Sequence, residues 1–250
     1  MSKLLIQTKT EVQIHNKISG NAKKMIKNTI KPIRSYVLRQ GRLTKYQSAA
    51  LDKFSKEFII PFQNKEINFD SIFNLSENKI ILEIGFGMGD TTARIAENSK
   101  DTNFIGIEVH SPGVGNLLNR INEQEIKNLR IIQHDAVEVL EQMIPKSSLD
   151  GVHIFFPDPW HKKKHNKRRL IQSNFIEKLG DKIKKNGYVH ISTDWEDYAL
   201  SILDAFKLTN NFSLKTEEFF VKPDYRPNTK YENRGIRLGH QVWDILFVRQ

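Results

Sequence analysis

The chain has no cysteine, which excludes disulfides, Cys-ligated zinc and thiolate nucleophiles together. It has no apolar run long enough to span a bilayer. The Leu4–Ile6 patch is too short for the core of a signal peptide, so nothing points to export and a cytoplasmic protein is expected. The first 31 residues are polar, rich in lysine and poor in aromatics. That composition cannot bury enough apolar surface to order itself, so weak order is expected there. Hydrophobic residues make up only 38% of the 250, yet 15 Phe and 3 Trp are enough to build a core. A chain of this length makes one large α/β domain or two small ones.

Charge is abundant but uneven. Of the net +10, all lies in residues 1–45, which contain eleven Lys or Arg and one acid, Glu11. The other 205 residues hold 28 basic and 28 acidic side chains. Such asymmetry points to nucleic acid or an anionic membrane surface, and the arm lacks the sustained amphipathic pattern that a membrane partner requires. Within it, Arg34, Arg39, Arg42 and Lys45 alternate with Tyr36 and Tyr46. That mixture suits a backbone-binding arm with stacking groups; a solvated tail fits the composition equally well.

From residue 48 the pattern is regular. Residues 48–58 read as a helix and 61–78 as an irregular approach to the core. Apolar strands at 79–84, 103–109, 129–133, 150–156 and 187–193 alternate with helical stretches. The alternation predicts right-handed crossovers and a parallel sheet covered on both faces. Two further strands, near 212–221 and 242–248, flank a Pro- and charge-rich loop, 222–240. The expected fold is a doubly wound, mostly parallel seven-stranded α/β sheet with the last strand antiparallel. A basic, partly disordered arm (1–45) precedes this domain (46–250).

Gly85, Gly87 and Gly89 follow the first strand and allow a tight turn at the carboxyl edge of the sheet. A dinucleotide fingerprint needs a third glycine at position 90, where Asp90 stands instead. A carboxylate there disfavours a pyrophosphate and suits a cofactor that is neutral or cationic at that end, such as S-adenosylmethionine. Glu108 ends the second strand, where ribose hydroxyls can be bound, and Asp135 follows the third, where an adenine edge can be read. Glu83, inside the first strand, is costly if buried unpaired and calls for a ligand, a donor or a salt bridge.

The densest stretch is Ile154–Arg169, IFFPDPWHKKKHNKRR. Pro157 and Pro159 end any strand ladder and fix a turn around Asp158. After Trp160 the chain turns cationic: Lys162, Lys163, Lys164, Lys167, Arg168 and Arg169. A carboxylate at a strand mouth beside an aromatic and a basic patch suits a site that acts on a polyanion. Trp160 can stack on a base or brace the turn. His161 and His165 are spaced like helix-borne metal ligands, but six cations crowd them and no metal is expected. His153 and His190, in strands, read as core.

Taken together, LEIGFGMG (82–89), GIEVH (106–110), HIFFPDPWHKKKHNKRR (153–169), STDW (192–195) and TKYENRGIRLGHQVWDILF (229–247) resemble the motifs of the bacterial tRNA (guanine-N7-)-methyltransferases, and RQGRLT (39–44) is similar too. The resemblance covers residues 34–249. It implies methyl transfer from S-adenosylmethionine to N7 of the guanine at position 46, in the variable loop of tRNA. It also implies that Glu83, Glu108, Asp135 and Asp158 line the cofactor pocket with the glycines, Asp158 being also catalytic. Lys162, Asp194, Thr229, Lys230, Tyr231 and Glu232 would hold the substrate, and Lys164, His165, Asn166, Lys167, Arg168 and Arg169 would touch RNA. The implied partner is tRNA, with no membrane, for a monomer or homodimer.

The chemistry agrees with the residues present. Guanine N7 carries a lone pair and no proton, so it needs no strong base and no cysteine nucleophile. Asp158 can stabilise positive charge growing on the purine. Asp194 can accept hydrogen bonds from guanine N1–H and the amino group. N7 faces the deep major groove of A-form RNA, so the target must be irregular or splayed. Two other readings fit the sequence: a methyltransferase acting on another RNA or on protein, and a noncatalytic RNA-binding module. For the former, PDPW would have to stand in for the D-P-P-[YFW] motif, but Trp160 occupies the place of its second proline.

Overall fold

The computed structural model describes residues 33–37, 41–74, 77–215, 219–237, 239 and 241–250, and for 230, 231 and 234 the backbone alone. The chain divides into two compact units, Met1–Arg34 and Ser35–Gln250. The sheet and all its helices belong to the second unit; residues 1–32 and 38–40 of the expected arm lie outside the described residues. No helix among the described residues is long and apolar enough to cross a membrane.

Seven strands form one sheet in the order β3-β2-β1-β4-β5-β7-β6. They are β1 (Lys79–Ile84), β2 (Thr102–Ile107), β3 (Leu129–Ile132), β4 (Leu149–Phe155), β5 (Ile183–Thr193), β6 (Phe212–Leu214) and β7 (Trp243–Arg249). The first five are parallel and β7 runs antiparallel to β5 and β6, as expected. The order reverses between β1 and β4. In doubly wound sheets ligands bind at this switch, outside the carboxyl ends of the strands.

Among the described residues the helices are α1 (Lys45–Phe58), the single turn α2 (Phe69–Ile72), α3 (Asp90–Asn98), α4 (Ser111–Glu123), α5 (Ala136–Gln142), α6 (Ser173–Lys182), α7 (Glu196–Lys207) and α8 (Lys230–Arg237). Side chains alternate along a strand, so β1 feeds two cores. Ile80, Leu82 and Ile84 join Leu140, Phe175, Leu179, Tyr198 and Ile202 from α5, α6 and α7. Ile81 joins Ala93, Ile95, Leu117, Leu118 and Ile121 from α3 and α4. Glu83 shares the alternation of Ile81 and is only 3% exposed.

Most strand ends fall within two residues of the sequence reading, but β6 stops at Leu214 rather than near 221, and 61–78 contains the turn α2. Three further differences have a local cause. α1 begins at Lys45 rather than 48, because Thr44 and Gln47 form a reciprocal capping box: the Thr44 hydroxyl accepts from Gln47 N at 3.2 Å and the Gln47 carbonyl accepts from Thr44 N at 3.0 Å. β5 starts at Ile183 rather than 187 and tolerates the early start through an irregularity against β4 at Leu149/Gly151. The loop expected at 222–240 contains α8, capped by Thr229, whose hydroxyl accepts from Glu232 N at 3.0 Å.

Candidate active site

The carboxyl ends of β1 to β5 bring the predicted acids to one edge. Gly85, Gly87 and Gly89 all adopt left-handed backbone, with φ of +76°, +60° and +75°. At Gly85 and Gly87 a Cβ would meet nothing within 4 Å, so the loop borders open space of the kind a ligand fills. Gly89 caps α3. Asp90 pairs at 2.7 Å with Arg120 of α4.

Glu108 lies just past β2 and stitches this loop together. One carboxylate oxygen accepts from Gly87 N at 2.8 Å; the other accepts from Val109 N at 2.7 Å and His110 N at 3.0 Å. The first oxygen keeps a lone pair for another donor. Asp135 caps α5, accepting from Val137 N at 2.9 Å. Beside it, the His134 ring stacks on Phe62 at 3.7 Å.

Glu83 is paired with no cation among the described residues. Burial pushes its carboxyl up to about 7, reinforced by the charge of Glu108 and opposed by the Thr92 hydroxyl. One of its oxygens is buried without a hydrogen-bond partner. An orphaned carboxylate oxygen beside a glycine loop open to a ligand fits a cationic group, such as the ammonium or sulfonium of S-adenosylmethionine.

The turn around Asp158 is held by unusual backbone. Phe156 (φ +52°) and Trp160 (φ +48°) are both left-handed, a conformation that costs a non-glycine residue about 1–3 kcal/mol. Phe156 N donates to Ser192 O at 2.8 Å, tying the turn to β5. Asp158 itself is exposed. The walls around it still raise its carboxyl pKa by desolvation, while His110 and His161 pull it down. Trp160 is committed to bracing: its Nε1 donates to Ser35 O at 3.0 Å, Arg168 lies over its ring and His165 meets it edge-on. The two histidines thus diverge, because His161 packs instead on Trp195 with ring centroids 4.2 Å apart.

The basic run forms a 3₁₀ turn, Lys163–Arg168, preceded by Lys162. Lys162, Lys164 and Lys167 are exposed, and His165, Asn166 and Arg168 half-buried. Arg169 turns inward at 5% exposure, bonding Asp197 at 2.5 Å and Pro159 O at 2.9 Å. Asp194, half-buried, follows β5.

A buried ionic network supports the far side of the edge. The Arg226 guanidinium is fully buried, bonded to both oxygens of Glu232 at 2.6 and 3.1 Å and to both of Asp244 at 2.8 and 2.7 Å. It lies over the rings of Phe155 and Phe156. Asp244 also pairs with His190 at 2.8 Å. Burial alone would raise the Asp244 carboxyl, but His190 and Arg226 outweigh it and hold it low. Glu232 thus has its carboxylate turned into the protein, while Thr229, Lys230 and Tyr231 sit at the start of α8. The sequence reading missed Arg226, His110 and Trp195. Arg226 stands outside every recognisable motif, and the other two gave no signal beyond membership of one.

A family model described as "Putative methyltransferase" matches residues 77–245. A tRNA (guanine-N(7)-)-methyltransferase of Methylobacillus flagellatus is 55% identical over 220 residues, covering 88% of this chain and 92% of that protein. One of Ralstonia pickettii is 52% identical over 218 residues, covering 87% and 85%. Among solved structures, the 16S rRNA methyltransferase KamB superposes with a TM-score of 0.53 at 11% identity, covering 77% of this chain and 97% of KamB. The last likeness concerns the fold.

Proposed function

The chain belongs to the tRNA (guanine-N7-)-methyltransferase family, and from that premise we propose how its site carries out the reaction and on which guanine. The enzyme uses S-adenosylmethionine to methylate guanine N7 of tRNA. The observation that carries the reading of the site is the convergence of Glu83, Glu108, Asp135, Asp158 and Asp194 on one sheet edge around an open glycine loop.

S-Adenosylmethionine supplies a methyl group on a sulfonium, which transfers to a nucleophile that has a lone pair. In this reading Glu83 balances the cationic end of the cofactor, the spare acceptor of Glu108 takes a ribose hydroxyl, and Asp135 faces the adenine. Asp194 accepts from guanine N1–H and the amino group, which orients N7 toward the methyl. The Asp158 carboxylate faces the purine as positive charge grows there. It removes no proton, since N7 has none. A preorganised charge of this kind needs no reorganisation as the reaction proceeds. Lys162, Lys164 and Lys167 contact phosphates, and Arg168 contributes from over Trp160. Thr229, Lys230 and Tyr231 border the base, held in place by Glu232 and Arg226.

The guanine is the one at position 46 of the variable loop, and the enzyme works in the cytoplasm as a monomer or homodimer. An unmodified tRNA transcript incubated with enzyme and S-adenosylmethionine tests the assignment. Mass spectrometry of nuclease fragments should place 7-methylguanosine at position 46, and a transcript with adenine there should take up no methyl. Methyl at another atom or another guanine would refute it.

A further inference from the structure

The site contains an aromatic side chain that packing covers only in part. Trp160, the indole within the catalytic turn, is used up by Ser35, Arg168 and His165. Trp195 differs: it is 38% exposed, although it stands directly after Asp194 at the mouth of the sheet. Its backbone is fixed. Trp195 is the N-cap of α7, its N–H donates to Thr193 Oγ1 at 3.2 Å, and its carbonyl accepts from Tyr198 N and Ala199 N at 3.0 and 2.9 Å. Its ring rests against His161, which in turn is one of the two histidines whose charge reaches Asp158. The Trp195–His161 contact therefore joins the segment that follows Asp194 to the segment that follows Asp158.

We propose that Trp195 is the stacking platform for the target guanine and that its π face favours the methylated purine over the unmethylated one. This rests on the reading of guanine N7 as the methyl acceptor. A base whose Watson–Crick edge meets Asp194 presents a flat face to the neighbouring residue. Guanine is neutral before transfer. As the N7 lone pair forms the bond to the methyl carbon and the carbon–sulfur bond breaks, the sulfonium becomes a neutral thioether and the positive charge passes to the purine. No proton moves. A cation over an indole is attracted to its quadrupole, whereas a neutral base gains only ordinary stacking. Trp195 thus holds the transition state more tightly than the ground state, which is the condition for raising the rate of the chemical step.

The test uses full-length enzyme with Trp195→Ala, Trp195→Phe and Trp195→Leu, assayed by single-turnover methylation at saturating tRNA. Trp195→Ala should lower the rate about ten- to a hundredfold, the scale of losing one base–aromatic stack. Trp195→Phe should recover most of the rate. Trp195→Leu, apolar but without a quadrupole, should not. Cofactor affinity should stay within about twofold, because the ring packs on His161 while Glu108 and Asp135 are held by backbone N–H groups of other segments. Titration with the nucleosides 7-methylguanosine and guanosine should show the wild type preferring the methylated one and Trp195→Leu losing that preference. Should Trp195→Ala fail to fold, the comparison of Phe with Leu decides alone. Equal rates for Phe and Leu, or an unchanged nucleoside preference, would overturn the proposal while leaving tRNA methylation by the wild type intact. Absence of 7-methylguanosine in the wild-type product would instead remove the reading beneath it.

Discussion

Glu83 offers a direct test of how the cofactor is recognised. In the free protein its carboxyl is 3% exposed and titrates at about 7 instead of 4.5. At about 1.4 kcal/mol per unit, holding the charge there costs on the order of 3 kcal/mol. A cationic cofactor relieves that cost, so binding selects the ionised carboxylate and expels a proton. Cofactor affinity should therefore rise with pH on the acid side of 7, with a limiting slope of about tenfold per unit, and flatten above it. Between pH 6 and 7 the dissociation constant should fall about fivefold. The window stays below the region where the cofactor's own amino group titrates. Glu83→Gln, a fixed mimic of the protonated form, should bind weakly with a flat profile. The effect on stability runs the other way. A carboxyl whose folded pKa is raised destabilises the fold above that pKa, and the deficit is relieved as pH falls from about 7 toward 4.5. Unliganded Glu83→Gln should thus melt higher than the wild type at pH 8, and the gap should close by pH 5. Calorimetric titration in buffers of different ionisation enthalpy reads the proton directly. A wild-type constant that does not change between pH 5.5 and 7, or a Glu83→Gln profile parallel to it, would refute the reasoning.

Three further outcomes are expected. Asp158→Ala should slow single-turnover methylation at least about a hundredfold, the scale of losing one preorganised electrostatic group, with filter-binding affinity for tRNA nearly retained; normal turnover would reduce Asp158 to a structural role. Arg226→Met should remove the guanidinium that joins Glu232 to Asp244, leaving them Lys222 at 3.6 Å and His190 at 2.8 Å, and destabilise the protein by about 3–5 kcal/mol, read as a lower denaturation midpoint; an unchanged midpoint would show that the network is not needed for folding. Deleting residues 1–33 removes seven lysines and Glu11; losing about two to four phosphate contacts should flatten the plot of log affinity for tRNA against log salt by about 0.7–0.9 per contact, with cofactor affinity intact, whereas superimposable lines would make the segment a passive tail.

The fold was legible because its signal is local. Strands such as Lys79–Ile84 and Leu149–Phe155 are short apolar runs separated by helical patterns, and the turn chemistry of Gly85, Gly87, Pro157 and Pro159 marks where each strand ends. The helix at 230–237 was overlooked although Thr229 and Glu232 have the spacing of a capping box, because the prolines and charges around them read as loop. The acids of the site were visible as strand-end carboxylates, but their partners were not. That Glu108 spends three acceptor positions on backbone N–H groups, or that Arg169 turns inward while Lys167 stays in solvent, depends on which direction a side chain faces after the chain has folded. Nor can spacing reveal that Arg226 joins Glu232 to Asp244, since the three meet only when β7 has paired with β5.

That pairing also divides the site in two. β7 follows every other strand of the sheet in the chain, yet it lies inside the sheet, between β5 and β6. Without residues 243–249, β5 would be an edge strand bonded only to β4, Arg226 would have only one of its two carboxylates, and His190 would lack Asp244. The glycine loop is built from β1 and β2, which stand apart from β7 in the sheet, whereas Asp194 follows β5, which β7 flanks. A change in β7 should therefore disturb substrate capture before it disturbs cofactor capture.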